Sequence, residues 1–248
     1  MQFRADIKPL WFYARMVKPN DLVFDIGANH GERTKVFRRL GARVVAVEPN
    51  PGLAAEIASR FGRKVVVEQA AVGDRDGHAL LYPCQQDQMS SLSPQWITGM
   101  KRSPFRDHFR DLQWHGSISV PVTRLDSLIA KHGRPAFVKI DVEGFELQVL
   151  NGLSSPLPCL SFEHNPEFAE ITCQCVRRLE QIGGYEFNFS AGESMVFSGR
   201  VWISADEAVR RLTSGCFPAK GDFYARRRVA ALLSWLRVWR QWNPTRAR

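Results

Sequence analysis

Short apolar runs alternate with stretches of helical period along the first third of this chain. Residues 22–26 (LVFDI) form a nearly unbroken apolar run that stops at Gly27, the pattern of a strand buried on both faces. Over 31–40, Val36, Phe37 and Leu40 fall on one helical face. Residues 43–47 (RVVAV) repeat the strand signal, and Leu53, Ile57 and Phe61 then recur every four residues as a helix face. Residues 64–67 (KVVV) predict a third strand. The order strand–helix–strand–helix–strand implies a parallel sheet joined by right-handed crossovers.

The middle of the chain is less regular. Residues 78–82 (HALLY) predict a strand after the turn-rich Gly73-Asp74-Arg75-Asp76-Gly77. Residues 84–116 are polar and interrupted by Pro94, Gly99, Pro104 and Gly116. Long irregular segments inside a domain are uncommon and often functional. Residues 117–123 (SISVPVT) alternate as a strand does, and Asp126 opens a short helix. Strands at 136–140 (AFVKI) and 159–163 (CLSFE) flank a short helix over 143–151. Phe168, Ile171, Cys175, Leu179 and Ile182 mark a helix over 166–182, and 185–189 with 194–198 predict a closing antiparallel hairpin. There is no internal repeat and no linker dividing the chain. The expected architecture is one doubly wound α/β domain over 1–225 with a mostly parallel sheet, an insertion at 84–116 and a basic amphipathic helix over 226–248.

Composition narrows this without redirecting it. The chain has 248 residues, 44% hydrophobic and 24% charged, which excludes wholesale disorder and collagen-like structure. Its five cysteines are too few for a disulfide scaffold, and Cys173 and Cys175 do not have zinc-knuckle spacing, so all five are read as reduced thiols. The first residues, MQFRADIKPL, lack the apolar core of a signal peptide, and no apolar run approaches the ~18 residues of a membrane span. The expected location is cytoplasmic.

The net charge of +9 suggests nucleic acid until it is located. Lys220 to Arg248 hold eight basic residues and one acid, leaving only +2 for the other 219 residues. The basicity belongs to a tail, so nucleic acid is not an expected partner. In that tail Val229, Leu232, Leu233, Leu236 and Trp239 recur at helical spacing, flanked by Arg226, Arg227, Arg228, Arg237 and Arg240. Such a helix docks on its own domain or a second copy in a homodimer, or lies on the anionic inner face of a membrane.

Ligands of open α/β sheets bind beyond the carboxyl ends of the strands, where strand order reverses. The first strand ends there with Asp25-Ile26-Gly27-Ala28-Asn29-His30-Gly31. Gly27 and Gly31 allow a sharp turn and close approach to a ligand. Glu48, followed by Pro49, ends the second strand 21 positions after Gly27, where an acid accepts hydrogen bonds from ribose hydroxyls. A dinucleotide loop needs a middle glycine, absent here, and Asp25 would repel a pyrophosphate. S-adenosylmethionine carries no phosphate; its sulfonium and amino group suit Asp25, and its carboxylate suits helix amides. The adenine is expected near Glu68-Gln69-Ala70-Ala71, with Ala70 leaving room for the base and Gln69 bonding its edge.

A second stretch, VKIDVEGFELQVLNG, places Asp141 at the end of the fourth strand and Glu143 and Glu146 around the following helix start. The fifth strand ends with Glu163-His164-Asn165. Adjacent strands thus bring Asp141, Glu143, Glu163 and His164 to one cleft. No Asn/Asp-Pro-Pro-aromatic run grips an exocyclic nitrogen here, and no Pro-Cys follows the fourth strand. Carboxylates suit an alcohol acceptor, whose proton must leave as oxygen attacks the methyl group. Asp141 is expected to orient the acceptor and His164 to take the proton. The same acids suit Mg²⁺, with Asp141 and Glu163 as two ligands and the third unassigned; metal-free chemistry is the favoured reading.

VFDIGANHG, AVEPNP, EQAAVGD, LDSL at 125–128 and above all VKIDVEGFELQVLNGL resemble the FkbM-type methyltransferases, over roughly residues 20–165. The resemblance implies a Rossmann-like, class I S-adenosylmethionine-dependent enzyme that methylates a hydroxyl of a sugar, glycolipid or secondary metabolite. It puts Asp25, Gly27, Asn29, Gly31 and Glu48 on cofactor positions and Asp141 and Glu143 on the KIDVEG motif; Ser90-Ser91-Leu92 matches a further family feature. His30 and the Arg/Trp-rich extension after Tyr224 depart from the family pattern. In the insertion, Met89, Trp96, Phe105, Phe109 and Trp114 stand among Lys101, Arg102, Arg106 and Arg110, which reads as a substrate lid that stacks on sugar faces and holds anionic groups. RNA methylation and a non-catalytic nucleoside-binding module are the alternative readings.

Overall fold

A computed structural model of the chain describes residues 7–102 and 112–228. The predicted alternation is present: α1 (Ile7–Tyr13), β1 (Leu22–Ile26), α2 (Glu32–Arg39), β2 (Arg43–Val47), α3 (Pro51–Phe61) and β3 (Val65–Glu68) follow in order. A side excursion comes next, with β4 (Ala71–Gly73), β5 (Gly77–Leu81), α4 (Pro94–Arg102), β6 (Ile118–Arg124) and α5 (Leu125–His132). The chain then completes the main layer through β7 (Phe137–Ile140), α6 (Glu146–Asn151), β8 (Cys159–His164), α7 (Ala169–Gly183), β9 (Tyr185–Ala191), β10 (Ile203–Ser204), α8 (Ala205–Thr213) and β11 (Gly221–Arg227).

The main sheet runs β10-β9-β11-β8-β7-β1-β2-β3. The five strands from β8 to β3 are parallel. β11 enters antiparallel to both β8 and β9. All five residues of β1 are buried, because helices cover both faces and the pleat divides their side chains. Phe24 and Ile26 pack with Val149, Leu150 and Leu179 of α6 and α7, while Val23 packs with Phe12, Tyr13, Phe37 and Ile57 of α1, α2 and α3. α3 shows how local sequence sets a boundary: Asn50 Oδ1 accepts from the Gly52 amide at 2.9 Å and Pro51 occupies the first turn, a capped start with its φ pre-set. The smaller sheet, β4-β6-β5, has its own apolar cluster of Ala71, Leu81 and Val120.

Three expectations change. Residues 194–198 form no strand; only the 185–189 half of the predicted hairpin is one, and β9 pairs with β10 and β11 instead. Arg226 and Arg227 belong to β11 rather than to a helix, because GDFYARR fills the gap between β8 and β9; residues 229–248, with the rest of the expected tail helix, lie outside the described residues. In the insertion, Trp96 is 2% exposed and packs with Cys84, Met89, Ile97, Met100 and Leu112. Trp114 Nε1 donates to the Met89 carbonyl at 2.8 Å. Those aromatics build the insertion's own core; Phe105 and Phe109, with Arg106 and Arg110, lie outside the described residues. Among the described residues no helix is long and apolar enough to cross a membrane.

Candidate active site

β1 feeds β2 on one side, while its other neighbour is β7, so strand order reverses between them. A cavity of about 400 Å³ opens at that point, within the ~300–1,000 Å³ of small-molecule sites. Its walls come from the β1–α2 loop, the β2 tip at Glu48 and Pro49, Ala70 and Ala71, residues 87–92, and the β7 tip from Lys139 to Phe145, with Glu163, Glu193 and Lys220.

The glycines of the first loop act differently from each other. Gly27 has φ +76°, and a Cβ there would stand 1.8 Å from the Asp141 carbonyl oxygen. It is needed so that the loop can cross the end of β7. Gly31 has φ +79°, and its Cβ would meet Phe61 Cε2 at 2.8 Å; Gly31 lets α2 approach α3 and is not part of the cavity wall. Asn29 adopts φ +49°, which turns its amide onto Glu48 Oε2 at 2.8 Å. The Asn50 amide donates to Glu48 Oε1 at 2.9 Å. Both oxygens are thereby fixed, and each keeps a lone pair for a ligand hydroxyl. Burial raises the Glu48 proton affinity, which the two amides oppose. Asp25 is 2% exposed and accepts from Thr34 Oγ1 at 2.6 Å; burial raises it too, against Thr34 and the positive charge of Lys139. Ala28, Pro49 and Ala70 line the cavity. Gln69 does not: it is exposed and outside the wall, because the turn that links Ala70 N to Glu68 O at 3.0 Å carries it outward.

The other end of the cavity is a buried carboxylate cluster. Lys139, 1% exposed, places Nζ 3.1 Å from Asp141 Oδ2 and 2.9 Å from Asp222 Oδ1. Burial works against ionising Asp141, but Lys139, joined by Lys220 and Arg33, brings it below its ordinary value. Glu143 sits at φ +47° with its carbonyl accepting from Ser91 Oγ at 2.6 Å, while Trp96 fills the space a side chain at Gly144 would need. Burial and the charge of Glu163 raise Glu143 well above the usual carboxylate range, and its Oε2 is buried without a hydrogen-bond partner. Lys220 Nζ lies 2.9 Å from Glu163 and 3.5 Å from Glu143. Oxygens of Asp141, Glu143 and Glu163 lie within 4.8 Å of one another, a donor set that suits a hard divalent ion. Glu143 is thus the third acid beside Asp141 and Glu163, and the Lys220 ammonium supplies a cation at the same place. Glu146 stands behind, its Oε1 accepting from the Gly144 amide at 3.1 Å; burial pushes it up to about 7.

His164 is not in this cleft. Successive strand residues face opposite sides, so Glu163 lines the cavity while His164 points into the core at 1% exposure. Its Nδ1 lies 2.9 Å from Thr172 Oγ1 and its Nε2 3.1 Å from the Phe217 carbonyl. A carbonyl only accepts, so Nε2 carries the hydrogen and Thr172 donates to Nδ1. Burial depresses its basicity, and the rings of Phe189, Phe217 and Phe223 enclose it. The expected proton acceptor is a neutral structural histidine. Lys220, Asp222, Arg33 and Glu193 went unread in sequence. The signal for Lys220 and Asp222 was the apolar Phe223-Tyr224-Ala225 run between them and the basic tail.

No curated protein matches the chain in sequence. Solved structures that resemble it include a TehB-like S-adenosylmethionine-dependent methyltransferase from Corynebacterium glutamicum (TM-score 0.48, 8% identity, covering 89% of this chain and 88% of that one). A precorrin-6y C5,15-methyltransferase from Geobacter metallireducens gives a TM-score of 0.42 at 13% identity, covering 90% and 88%. The 23S rRNA methyltransferase ErmE gives 0.42 at 10% identity, covering 90% and 68%. Residues 25–187 match the methyltransferase FkbM domain, a span from the Asp25 loop through both carboxylate strand tips, and the chain belongs to that methyltransferase family.

Proposed function

We propose that the chain methylates a hydroxyl oxygen of a small polyhydroxylated acceptor, a sugar, glycolipid or secondary metabolite, with S-adenosylmethionine as donor and Glu143 as proton acceptor. The observation that carries the reading is the unpartnered Glu143 Oε2 inside the carboxylate cluster at the end of the cavity. The donor set fits the cofactor: Asp25 opposes a pyrophosphate and favours a cationic ligand, and Glu48 suits ribose hydroxyls. S-adenosylmethionine supplies an electrophilic methyl group on a sulfonium. Glu48 holds the ribose, and Ala70, Ala71 and Leu81 offer the adenine a small apolar wall. Asp141, kept ionised by Lys139, accepts from a neighbouring hydroxyl of the acceptor and so aims the reacting oxygen. Glu143 takes the proton as the oxygen forms its bond to the methyl carbon and the carbon–sulfur bond breaks, leaving a neutral thioether. Its raised proton affinity makes it a stronger base than a free carboxylate. Lys220, held charged by Glu163 and Glu143, remains an ammonium and fixes both.

Deuterium-labelled methyl donor, offered with a panel of sugars, glycolipids and lipid-linked intermediates, tests the reading by mass spectrometry. One labelled methyl on an oxygen is expected. A labelled nitrogen overturns the acceptor class, as does methylation of RNA with binding that falls steeply with salt.

A further inference from the structure

We infer that Arg33 is the receptor for the amino-acid carboxylate of the methyl donor, and that Glu193 occupies this receptor in the free protein. The inference rests on the methyl-donor reading and adds a subsite to it. Arg33 lies in the first turn of α2, directly after the Asn29-His30-Gly31 bend, and lines the cavity. Its side chain is 22% exposed and ion-paired with Glu193, whose side chain is 77% exposed on the turn after β9. A mostly buried guanidinium, whose charge also reaches Asp25, Asp141 and Asp222, therefore takes its ion pair from a carboxylate that stands largely in water.

The other cations of the cavity wall are committed. Lys139 is shared by Asp141 and Asp222, and Lys220 by Glu143 and Glu163. The cationic groups of the donor have Asp25 and Asp141 to meet, but its carboxylate needs a positive partner. Arg33 is the cation whose present partner is most easily replaced. Ion pairs with one member in solvent are weak. A carboxylate presented from inside the cavity meets the guanidinium out of water, where a two-point contact is strong.

Calorimetric titration of the full chain with two probes tests this. S-adenosylhomocysteine carries the amino-acid group; 5′-methylthioadenosine keeps the nucleoside and sulfur without it. Arg33→Met is expected to weaken S-adenosylhomocysteine by about ten- to a hundred-fold and to leave 5′-methylthioadenosine unchanged. Glu193→Gln, an exposed substitution with little bearing on folding, is expected to tighten S-adenosylhomocysteine by up to about fivefold, again without effect on 5′-methylthioadenosine. Equal losses for both probes in Arg33→Met overturn the assignment, as does unchanged S-adenosylhomocysteine affinity in that variant or weaker binding in Glu193→Gln. If the wild-type chain binds neither probe, the methyl-donor reading itself falls and takes the subsite with it.

Discussion

Gly27 and Asp141 meet backbone to backbone at the tips of adjacent parallel strands, with no room for a methyl group between them. The Asp141 amide donates to the Ile26 carbonyl at 3.0 Å, and the Gly27 amide to the Val47 carbonyl at 2.9 Å. Neither chain can retreat without breaking the sheet. Gly27→Ala adds a steric collision to the strain of φ +76°, and is expected to cost about 2–4 kcal/mol. Gly62 has φ +55° with ψ −142°, and a methyl group there would meet nothing within 4 Å, so Gly62→Ala carries backbone strain without a collision and should cost less, about 1–3 kcal/mol. Urea unfolding of the two variants checks the difference.

Glu48 ties three segments together through its two amide contacts, so its removal acts on binding through both lost ligand contacts and a loosened loop. Glu48→Ala is expected to weaken S-adenosylhomocysteine by roughly ten- to a hundred-fold, from an ionic hydrogen bond of ~1.5–3 kcal/mol. Unchanged affinity by calorimetry would remove Glu48 from the site.

His164 is expected to matter for stability rather than turnover. His164→Ala leaves the Phe217 carbonyl and the Thr172 hydroxyl without their ring partners and opens a cavity, at a cost of about 2–4 kcal/mol. The native state holds the ring neutral, with its pKa below the ordinary 6.5. The unfolded chain therefore binds the proton first as pH falls. The stability it contributes is full above about 6.5 and declines as pH drops below it. Denaturant midpoints measured across that range should show the decline in the wild type and a shallower one in the variant.

The difference between Glu163 and His164 shows where sequence reading stops. The parallel strands were legible because LVFDI and RVVAV are apolar on both faces, as only a covered sheet allows. The Gly27, Asn29 and Glu48 constellation was legible because ligand sites in this topology lie at strand tips. Proximity at a strand tip does not say which face a side chain takes, and a one-residue step sends Glu163 to the cavity and His164 to the core. β11 was illegible for another reason: its pairing with β8 spans more than fifty residues of chain, and its last two residues read as the start of the basic tail. Missing β11 hid Asp222, and with it the second partner of Lys139. Lys220, immediately before that strand, was lost in the same way.

Glu146 gives a stability prediction of the opposite sign to His164. Burial lifts its pKa from 4.5 to about 7, so the native state holds the proton more tightly than the unfolded chain. The associated stability is complete below about 4.5 and is lost as pH rises through about 7. Glu146→Gln keeps an oxygen for the Gly144 amide and never ionises. It is expected to be more stable than the wild type at pH 8 by about 1–3 kcal/mol, with the gap closing towards pH 5 in matched thermal or urea melts.

Glu143 sets the expected pH dependence of the reaction. Burial and the neighbouring Glu163 favour its protonated form, with Lys220 opposing them. A protonated Glu143 has no vacant lone pair positioned to receive the acceptor proton, so methyl transfer should rise with pH and level off once the carboxylate ionises. Glu143→Gln removes the base while preserving the size of the side chain. Its turnover is expected to fall by about 10²–10⁴-fold, its pH dependence to flatten, and its affinity for S-adenosylhomocysteine to stay close to that of the wild type. The combination separates proton transfer from cofactor binding: a variant that lost affinity but kept the rising pH limb would move the base to Asp141 or Glu163, the other two carboxylates of the cluster.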